Sequence, residues 1–343
     1  MNSVRLKPGY LILLAACLAA AAAPAREWER ALYGAPPGGF LLRAQSSADG
    51  EESGEEEYTS RETRTEAGTS QKIFREGSAL KAEYRFINFN KDRLGISFGM
   101  PGAEYRRYAA GYGYHDEDLD ILKAWREKAR QSAWKAALPA GGQAAGNKAL
   151  REVDTEYDTR LRALLRSRGL ALRAGNLVEC DMPVIVKRNI KILNPLALAF
   201  QELAAEKKYS EEDLVGAVVS LVQTAIRYKI PPPLENGLHT GGLLPPARAL
   251  LSGWGDCDTK TGLLAAILGS WNGMRMVGIA VPGHYLMAIR RIPGKGDLFV
   301  RYEGLEYVLV EPAGPAWLEP GQVGARTREL LAGRDGYKVE PFF

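Results

Sequence analysis

One cysteine of this chain lies where a thiol becomes reactive. Cys257 stands in the stretch GDCDTK, residues 255–260, immediately before the apolar run TGLLAAIL. The pattern predicts a helix that begins at about Asp256 and ends near Gly269. Unpaired backbone N–H groups and the positive end of the helix dipole favour a thiolate in the first turn. Because the flanking Asp256 and Asp258 oppose a negative sulfur, a nucleophilic Cys257 needs a nearby base.

Two later residues can supply that base and an acid to orient it. His284 opens HYLMAIRR directly after a Pro-Gly turn, and Glu311 ends YVLVE, one expected strand over. An imidazole there can take the thiol proton and pass it to a leaving amine, while a carboxylate holds the imidazole tautomer. Taken singly, each residue also has a structural interpretation, such as a satisfied turn histidine or a small apolar thiol.

The order of these residues resembles the transglutaminase-like superfamily of papain-type cysteine enzymes. A cysteine at a helix start, a histidine at a strand start and an acid followed by proline at a later strand end carry the resemblance. The runs VQTAIRY (222–228), PPARALLSGWGDCDTK (245–260) and GHY (283–285) fit it as well. The resemblance covers about residues 205–315.

The resemblance implies a thiol triad that cleaves or transfers an amide or peptide bond through a thioester. Cys257 is then the nucleophile, His284 the base and Glu311 the orienting acid, although the superfamily usually has aspartate as the third member. A cysteine peptidase or amidase acting on a protein or peptide is expected ahead of a cross-linking acyl transferase. The alternative is a non-catalytic envelope module that uses the same fold for binding or scaffolding.

An oxyanion hole would need one donor in addition to the Cys257 backbone N–H. Gln223 on the preceding helix and Trp254 beside the nucleophile are the candidate donors. Each has a structural alternative, which is the preferred interpretation: Gln223 on a polar helix face and Trp254 as core packing.

Composition excludes several classes of function. The chain has 343 residues, 46% of them hydrophobic, which indicates about two globular domains. Its 45 basic and 41 acidic residues nearly balance, so no global field favours nucleic acid. With three cysteines, three histidines and no CxxC or HExxH motif, we expect no metal, no cofactor and no disulfide framework.

The first residues predict export. Arg5 and Lys7 precede an apolar run, residues 10–23, and Ala-Pro-Ala at 23–25 fits a signal-peptidase site. Residues 1–25 are therefore predicted to be a signal peptide, and the protein to be periplasmic or otherwise in the cell envelope. The sequence LAAC ending at Cys17 is a second interpretation, in which a lipidated cysteine attaches the protein to a membrane.

The part of the chain before residue 171 carries no motif of the resemblance. Residues 26–72 are predicted to be a flexible acidic segment, because 45–72 hold almost no large apolar side chains. Residues 73–170 are predicted to form a small β element, with a hairpin at 90–92, followed by a helical hairpin. The two helices, 117–138 and 147–168, form an arm for packing or for docking a partner.

Residues 171–343 are predicted to be the catalytic domain, and the whole chain to be α+β. Its core is expected to be papain-like or transglutaminase-like, with the nucleophile at a helix N-terminus packed on an antiparallel sheet. Strands are expected at 178–186 and, as a meander with a hairpin turn at PGKGD (293–297), at 274–281, 284–291, 298–302 and 307–311. A further helix is capped by Ser210.

Three other signals are set aside. GISFG (95–99) matches the G-x-S-x-G elbow, but no helix signal or parallel βαβ series accompanies it. Asp116, Asp118 and Asp120 imitate calcium-loop spacing without the required glycine, and indicate an acidic helix N-terminus instead. Cys180 is interpreted as an inert buried thiol.

Overall fold

The computed structural model describes residues 61–65, 68–334 and 336–343. Within these ranges the fold is α+β, with seven helices and several antiparallel sheets, one of them a curled five-stranded half-barrel. The predicted signal peptide, residues 1–25 with Cys17, lies outside the described residues. None of the described helices has a stretch both long and apolar enough to span a bilayer.

The chain divides into two compact units. One comprises residues 57–116 and 162–343, and the described part of the other is residues 117–161. In the second unit, Arg126 and Arg130 both pair with Asp154, and the Arg160 guanidinium lies 4.0 Å from the ring centroid of Trp125. Polar and cation–π contacts therefore join the two halves of this unit.

The seven helices of the described residues alternate with the sheets. They are α1 (Gly102–Ala110), α2 (Asp116–Ser167), α3 (Met182–Lys207), α4 (Glu211–Ser220), α5 (Pro246–Ser252), α6 (Cys257–Leu268) and α7 (Ala325–Ala332). Helix α2 is the predicted helical hairpin, because its backbone leaves helical geometry at Gly141 and Gly142. Helix α4 has the predicted cap, a reciprocal capping box between Ser210 and Asp213.

A four-stranded antiparallel sheet forms the first β element. Its strands, in spatial order, are β1 (Arg61–Thr65), β2 (Thr69–Glu76), β3 (Ala79–Ile87) and β4 (Arg93–Pro101). The predicted hairpin at 90–92 is confirmed, since Ile87 pairs with Arg93 across it. The flexibility predicted for the acidic segment 26–72 is wrong for residues 61–65 and 69–72, because their backbones pair as β1 and β2 and are ordered by that pairing.

The strand predicted at 178–186 is confirmed only as far as Cys180, and the prediction is wrong for the residues after it. Only Val178–Cys180 is extended, as β6, and pairs with β5 (Leu170–Leu172). The Asp181 side chain then accepts a hydrogen bond from Val184 N at 3.2 Å and caps α3. A short apolar run fits a buried helix as well as a buried strand, so periodicity could not separate the two.

The half-barrel contains the four strands predicted in the second half of the chain and one further strand, Lys338–Pro341, which the sequence does not predict. They are β11 (Met276–Val281), β12 (His284–Arg290), β13 (Phe299–Tyr302), β14 (Leu305–Val310) and β15 (Lys338–Pro341). Their spatial order is β13-β14-β12-β11-β15, all antiparallel. Because β14 lies between β12 and β13, the segment 293–297 joins strands that are not neighbours. The predicted hairpin turn there is wrong; the tight turn is at Glu303 and Gly304, both with positive φ.

Three two-stranded pairs complete the β structure. They are β5 with β6, β7 (Arg227–Tyr228) with β10 (Trp254–Gly255), and β8 (Leu234–Glu235) with β9 (Leu238–His239). The pair β7–β10 is parallel, and it joins the segment before α6 to the segment after α4.

Helix α6 is the centre of the main core. Every residue from Thr259 to Leu268 is buried, which fits a helix that is apolar nearly all round. The buried faces of β3 and β4 share one hydrophobic core with α3, α4 and α6. The structure therefore places no boundary at residue 170 between the first sheet and the predicted catalytic region.

The cap of α6 gives a first testable prediction. Asp256 accepts a hydrogen bond from Thr259 N at 3.1 Å, so D256A should lower the free energy of unfolding by about 1 kcal/mol in urea denaturation. D256N retains an acceptor and should lose less. S210A, which removes the cap of α4, is the matched control: it should destabilise similarly without changing the alkylation rate of Cys257, whereas D256A should change that rate. Equal changes of the alkylation rate in D256A and S210A would contradict the assignment of Asp256 as the cap that positions Cys257.

Candidate active site

The first turn of α6 presents Cys257 at the edge of the core. Gly255, which precedes the cap, packs so tightly that a Cβ on it would lie 2.3 Å from Thr259 Cγ2. Asp256 is extended, with φ −90° and ψ −167°, and its carboxylate satisfies a backbone N–H of the first turn. The sequence GDCDT thus turns sharply from strand to helix and places a half-buried thiol on the first helical residue.

His284 is the first residue of β12 and follows a two-residue turn. Pro282 and Gly283 connect β11 to β12, Gly283 has φ 71°, and Val281 pairs with His284. A type II turn requires positive φ at its third residue and commonly has proline at its second, which is the combination found here. The helix α6 is tied to this strand because Thr261 Oγ1 donates to the backbone carbonyl of Tyr285 at 3.2 Å.

Glu311 follows β14, which pairs with β12. Its carboxylate accepts from His284 Nε2, at 3.0 Å to Oε1 and 3.1 Å to Oε2. Thr327 Oγ1 donates to Oε2 at 2.7 Å, and the backbone N–H of Ala313 donates to Oε1 at 3.3 Å. The Glu311 side chain is 5% exposed, so this acid is buried and satisfied by three donors.

The imidazole of His284 is strongly basic in this setting. Burial lowers its pKa, but hydrogen bonds with Cys257 and Glu311 and the charges of both outweigh burial and raise the pKa from 6.5 to about 10. The ring is therefore a cation at neutral pH. Because Nε2 is engaged with Glu311, Nδ1 is the nitrogen left for the sulfur, and a cation beside a sulfur favours thiolate.

Tyr228 is a further neighbour of the sulfur. The parallel pairing of β7 with β10 sets Tyr228 opposite Gly255, two residues before Cys257. Burial, the charges of Cys257 and Asp256, and a side-chain hydrogen bond with Cys257 all raise the pKa of Tyr228. The phenol therefore stays protonated at neutral pH and is a neutral donor beside the nucleophile.

Two carboxylates oppose a negative charge on Cys257. The thiol lies 3.7 Å from Asp258 Oδ1, and burial with the charge of Asp256 raises the pKa of Asp258 to about 6. Burial also raises the pKa of Asp256, against its hydrogen bonds with Thr259. A charge on either carboxylate opposes a thiolate, and the imidazolium of His284 offsets that effect.

The two candidate oxyanion donors have other roles in the structure. Gln223 lies in a π-helical segment, Leu221–Ala225, and its Nε2 donates to the carbonyls of Glu311 at 2.6 Å and Leu318 at 2.9 Å. Both of its N–H groups are thus used to hold the chain around the acid. Trp254 packs against the core, and Lys229 Nζ lies 4.5 Å from its ring centroid.

The signals set aside in the sequence lie in regular elements of the structure. GISFG lies within β4, not in a strand-to-helix elbow. Asp116 begins α2, and the described residues contain no group of three or more potential metal ligands close enough to hold an ion. Burial, followed by the charges of Asp258 and Asp256, raises the pKa of Cys180 well above its usual range, which favours an inert thiol.

Three residues at the site were not singled out from the sequence. Tyr228 lies in VQTAIRY but carries no signal of its own, because a tyrosine before a proline-rich linker is ordinary. Thr327 comes from α7, 16 residues after Glu311, and no local pattern links the two. Lys260 offered a signal, since a lysine inside a run that packs on all sides is unusual.

Comparisons of the chain with family models, curated proteins and solved structures give no match.

The raised pKa of His284 predicts a pH-dependent contribution to stability. The imidazolium–carboxylate contact stabilises the fold fully below the ordinary pKa of 6.5, and the contribution is lost as pH rises through about 10. The unfolding free energies of the wild type and H284Q, measured in urea, should therefore differ by a few kcal/mol near pH 6 and converge near pH 10. In the E311Q background the same substitution should show little of this pH dependence; a constant difference would contradict the pairing.

Proposed function

We propose that this protein is a thiol enzyme that cleaves or transfers an amide or peptide bond through a thioester on Cys257. The observation that carries the proposal is the alignment of a helix-start thiol, a basic imidazole and a buried carboxylate. The imidazole contacts both the sulfur and the acid, which is the geometry of a nucleophile, base and orienting group. A module that only binds a partner does not require a buried ion pair in contact with one sulfur.

The first half of the reaction forms a thioester. The Cys257 thiolate attacks the carbonyl carbon, and the C=O π electrons move onto the oxygen. As the tetrahedral intermediate collapses, the C–N bond breaks and His284 gives its proton to the leaving amine. Glu311 holds the ring orientation throughout and stabilises the imidazolium whenever the ring is protonated, because both of its oxygens accept from Nε2.

The second half releases the acyl group. A water molecule attacks the thioester while neutral His284 takes its proton, and the C–S bond breaks to give a carboxylic acid and the starting thiolate–imidazolium pair. An amine in place of water would give transamidation with the same proton transfers. Hydrolysis is the favoured outcome, because water is abundant and no amine-acceptor feature is identified in the sequence.

Tyr228 and the Cys257 backbone N–H are the proposed oxyanion donors. Backbone N–H groups of a first helical turn have no intrahelical partner. The Tyr228 phenol already interacts with the sulfur and is kept protonated, so it can donate to an oxygen that develops beside that sulfur. Tyr228 takes the role for which Gln223 and Trp254 were the candidates in the sequence.

The packing of helix on strands also supports the proposal. A transglutaminase-like or papain-type core combines a nucleophile on a buried helix with a base and an acid on neighbouring antiparallel strands. Here α6 packs on β12, and β14 pairs with β12 directly before Glu311. The two-layer contact of helix and half-barrel is the architecture that the proposed chemistry needs.

A protein or peptide is the proposed substrate class. Beyond Tyr228 the chain exposes large apolar side chains, Ile230 at 70% and Leu234 at 52% exposure. Exposed apolar groups that follow Tyr228 along the chain can contact the side chains of an extended peptide. The export of the protein to the cell envelope, lipidation at Cys17 and docking of a partner on the helical hairpin remain predictions from the sequence.

Acylation by an activated ester tests the proposal without a known substrate. Incubated with p-nitrophenyl acetate, H284A should accumulate one acetyl group on Cys257, seen by mass spectrometry, because deacylation lacks its base. The wild type should release acetate and turn over, and C257A should not be labelled. Equal labelling of the wild type and H284A, with no turnover in either, would instead favour the binding or scaffolding module.

Tyr228 gives a separate prediction. Y228F removes one donor to the developing oxyanion and should lower kcat for ester turnover by about 10- to 100-fold with little change in KM. Y302F, on the half-barrel strand β13, is a matched control that should leave kcat unchanged. An unaffected kcat in Y228F would exclude the phenol from the oxyanion hole.

A further inference from the structure

The helix α7 buries a polar side chain where an apolar one is expected. Of its eight residues, all of which the structure describes, only Thr327 is buried, at 6% exposure. A helix that lies on a protein surface usually buries an apolar stripe. A buried hydroxyl is costly unless it has a hydrogen-bond partner. The position of Thr327 therefore calls for a polar group inside the fold.

Helix α7 approaches the candidate site from the side opposite to α6. Along β12, Tyr285 and Met287 belong to the main core with α6, whereas Leu286 belongs to a second hydrophobic core. Two partly buried leucines of α7, Leu330 and Leu331, pack against this second core. Because side chains alternate along a strand, the two cores lie on opposite faces of the half-barrel. The helices α6 and α7 thus lie on opposite faces of the strand that begins at the candidate base.

The partner of the Thr327 hydroxyl is the carboxylate of Glu311. Thr327 Oγ1 donates to Oε2 at 2.7 Å, the shortest of the four hydrogen bonds that described residues give to this carboxylate. The others come from His284 Nε2, at 3.0 and 3.1 Å, and from Ala313 N, at 3.3 Å. A short O–H···O⁻ bond is among the stronger hydrogen bonds, whereas 3.3 Å is long for an amide donor. Thr327 therefore makes the firmest contact with the acid.

The orientation of the carboxylate depends on this contact. The last torsion of a glutamate side chain is broad, and a donor at equal distance from both oxygens, as His284 is, does not choose between them. Thr327 and Ala313 each contact one oxygen and so restrict this torsion. Thr327 is also the third residue of α7, and a carboxylate beside the first turn of a helix is favoured by the helix dipole.

We propose that Thr327 is a positioning residue of the candidate triad: its hydroxyl fixes the plane of the Glu311 carboxylate and, through that carboxylate, the orientation of the His284 ring. This inference rests on the proposed thiol chemistry. It adds a residue that acts through the acid rather than on the sulfur, and that reaches the acid from the second core of the half-barrel.

Turnover of p-nitrophenyl acetate separates the hydroxyl of Thr327 from its packing. T327V keeps the shape and removes the hydroxyl, whereas T327S keeps the hydroxyl and removes a methyl group. T327V should lower kcat about 10-fold with little change in KM, and T327S should stay within about twofold of the wild type. S270A removes a hydroxyl beyond the far end of α6 and should keep the wild-type kcat. If kcat in T327S is equal to that in T327V, or lower, the inference is overturned. T327A and T327S, which differ by the hydroxyl alone, give the same comparison if T327V does not fold.

Histidine NMR measures the same contact without a substrate. The chain has three histidines, so the ring signals of His284 can be assigned with H115Q and H239Q. The proton on His284 Nε2 is hydrogen-bonded to a buried carboxylate and should exchange slowly with water. T327V should shift this signal and speed its exchange severalfold, while T327S and S270A should leave both unchanged. A purely structural role would lower the thermal midpoint without this effect, and an unchanged Nε2–H signal in T327V would overturn the inference.

Alkylation of Cys257 by iodoacetamide distinguishes failure of this inference from failure of the proposed function. If the rate near neutral pH is the same in the wild type and H284A, the proposed thiol chemistry fails. If the rate depends on His284, but T327V and T327S match the wild type in kcat and in Nε2–H exchange, only the role of Thr327 fails.

Discussion

The contact between His284 and Glu311 is the interaction on which the candidate site depends. Two charges removed from water are costly, and their attraction offsets that cost only when the remaining lone pairs are also satisfied. Here the carboxylate accepts from Thr327 and from the backbone of Ala313 in addition to the imidazole. Gln223 holds the backbone of Glu311 in place. Elements from four parts of the chain thus converge on one acid.

The helix that carries Cys257 shows a conflict between stability and chemistry. Its body is buried on all sides, which fixes the position of the first turn relative to the half-barrel. That first turn nevertheless contains the partly buried carboxylate of Asp258 and the amine of Lys260, unsatisfied among the described residues, neither of which benefits packing. A helix selected only for stability would bury apolar side chains at these positions. The electrostatically unfavourable side chains of this helix therefore lie within one turn of the thiol.

The proposed function depends on side chains and their geometry, since no similarity to a known protein supports it. Folds of one architecture serve many activities, so the α+β arrangement alone would carry no functional conclusion. What distinguishes this site is the order of contacts from thiol to imidazole to buried acid, together with a protonated phenol beside the sulfur. Each of these contacts restricts the chemistry further than the fold does.

The sequence by itself determined the elements whose signals are local. The cap and apolar run of α6, the Pro-Gly turn before His284, the capping box at Ser210 and the alternation of β4 were all readable from neighbouring residues. The roles of Gln223 and the helical start of α3 were not, because an amide or an apolar run is compatible with several environments.

Only the tertiary structure decided which groups that are distant in the sequence come close enough to interact electrostatically. The strand order of the half-barrel puts β14 beside β12 and so brings Glu311 to His284, while α7 brings Thr327 to the same carboxylate. Tyr228 comes beside the sulfur for the same reason, through the pairing of β7 with β10. Electrostatic coupling depends on distance through the folded core and on exclusion of water, and neither quantity is encoded in the spacing of residues along the chain.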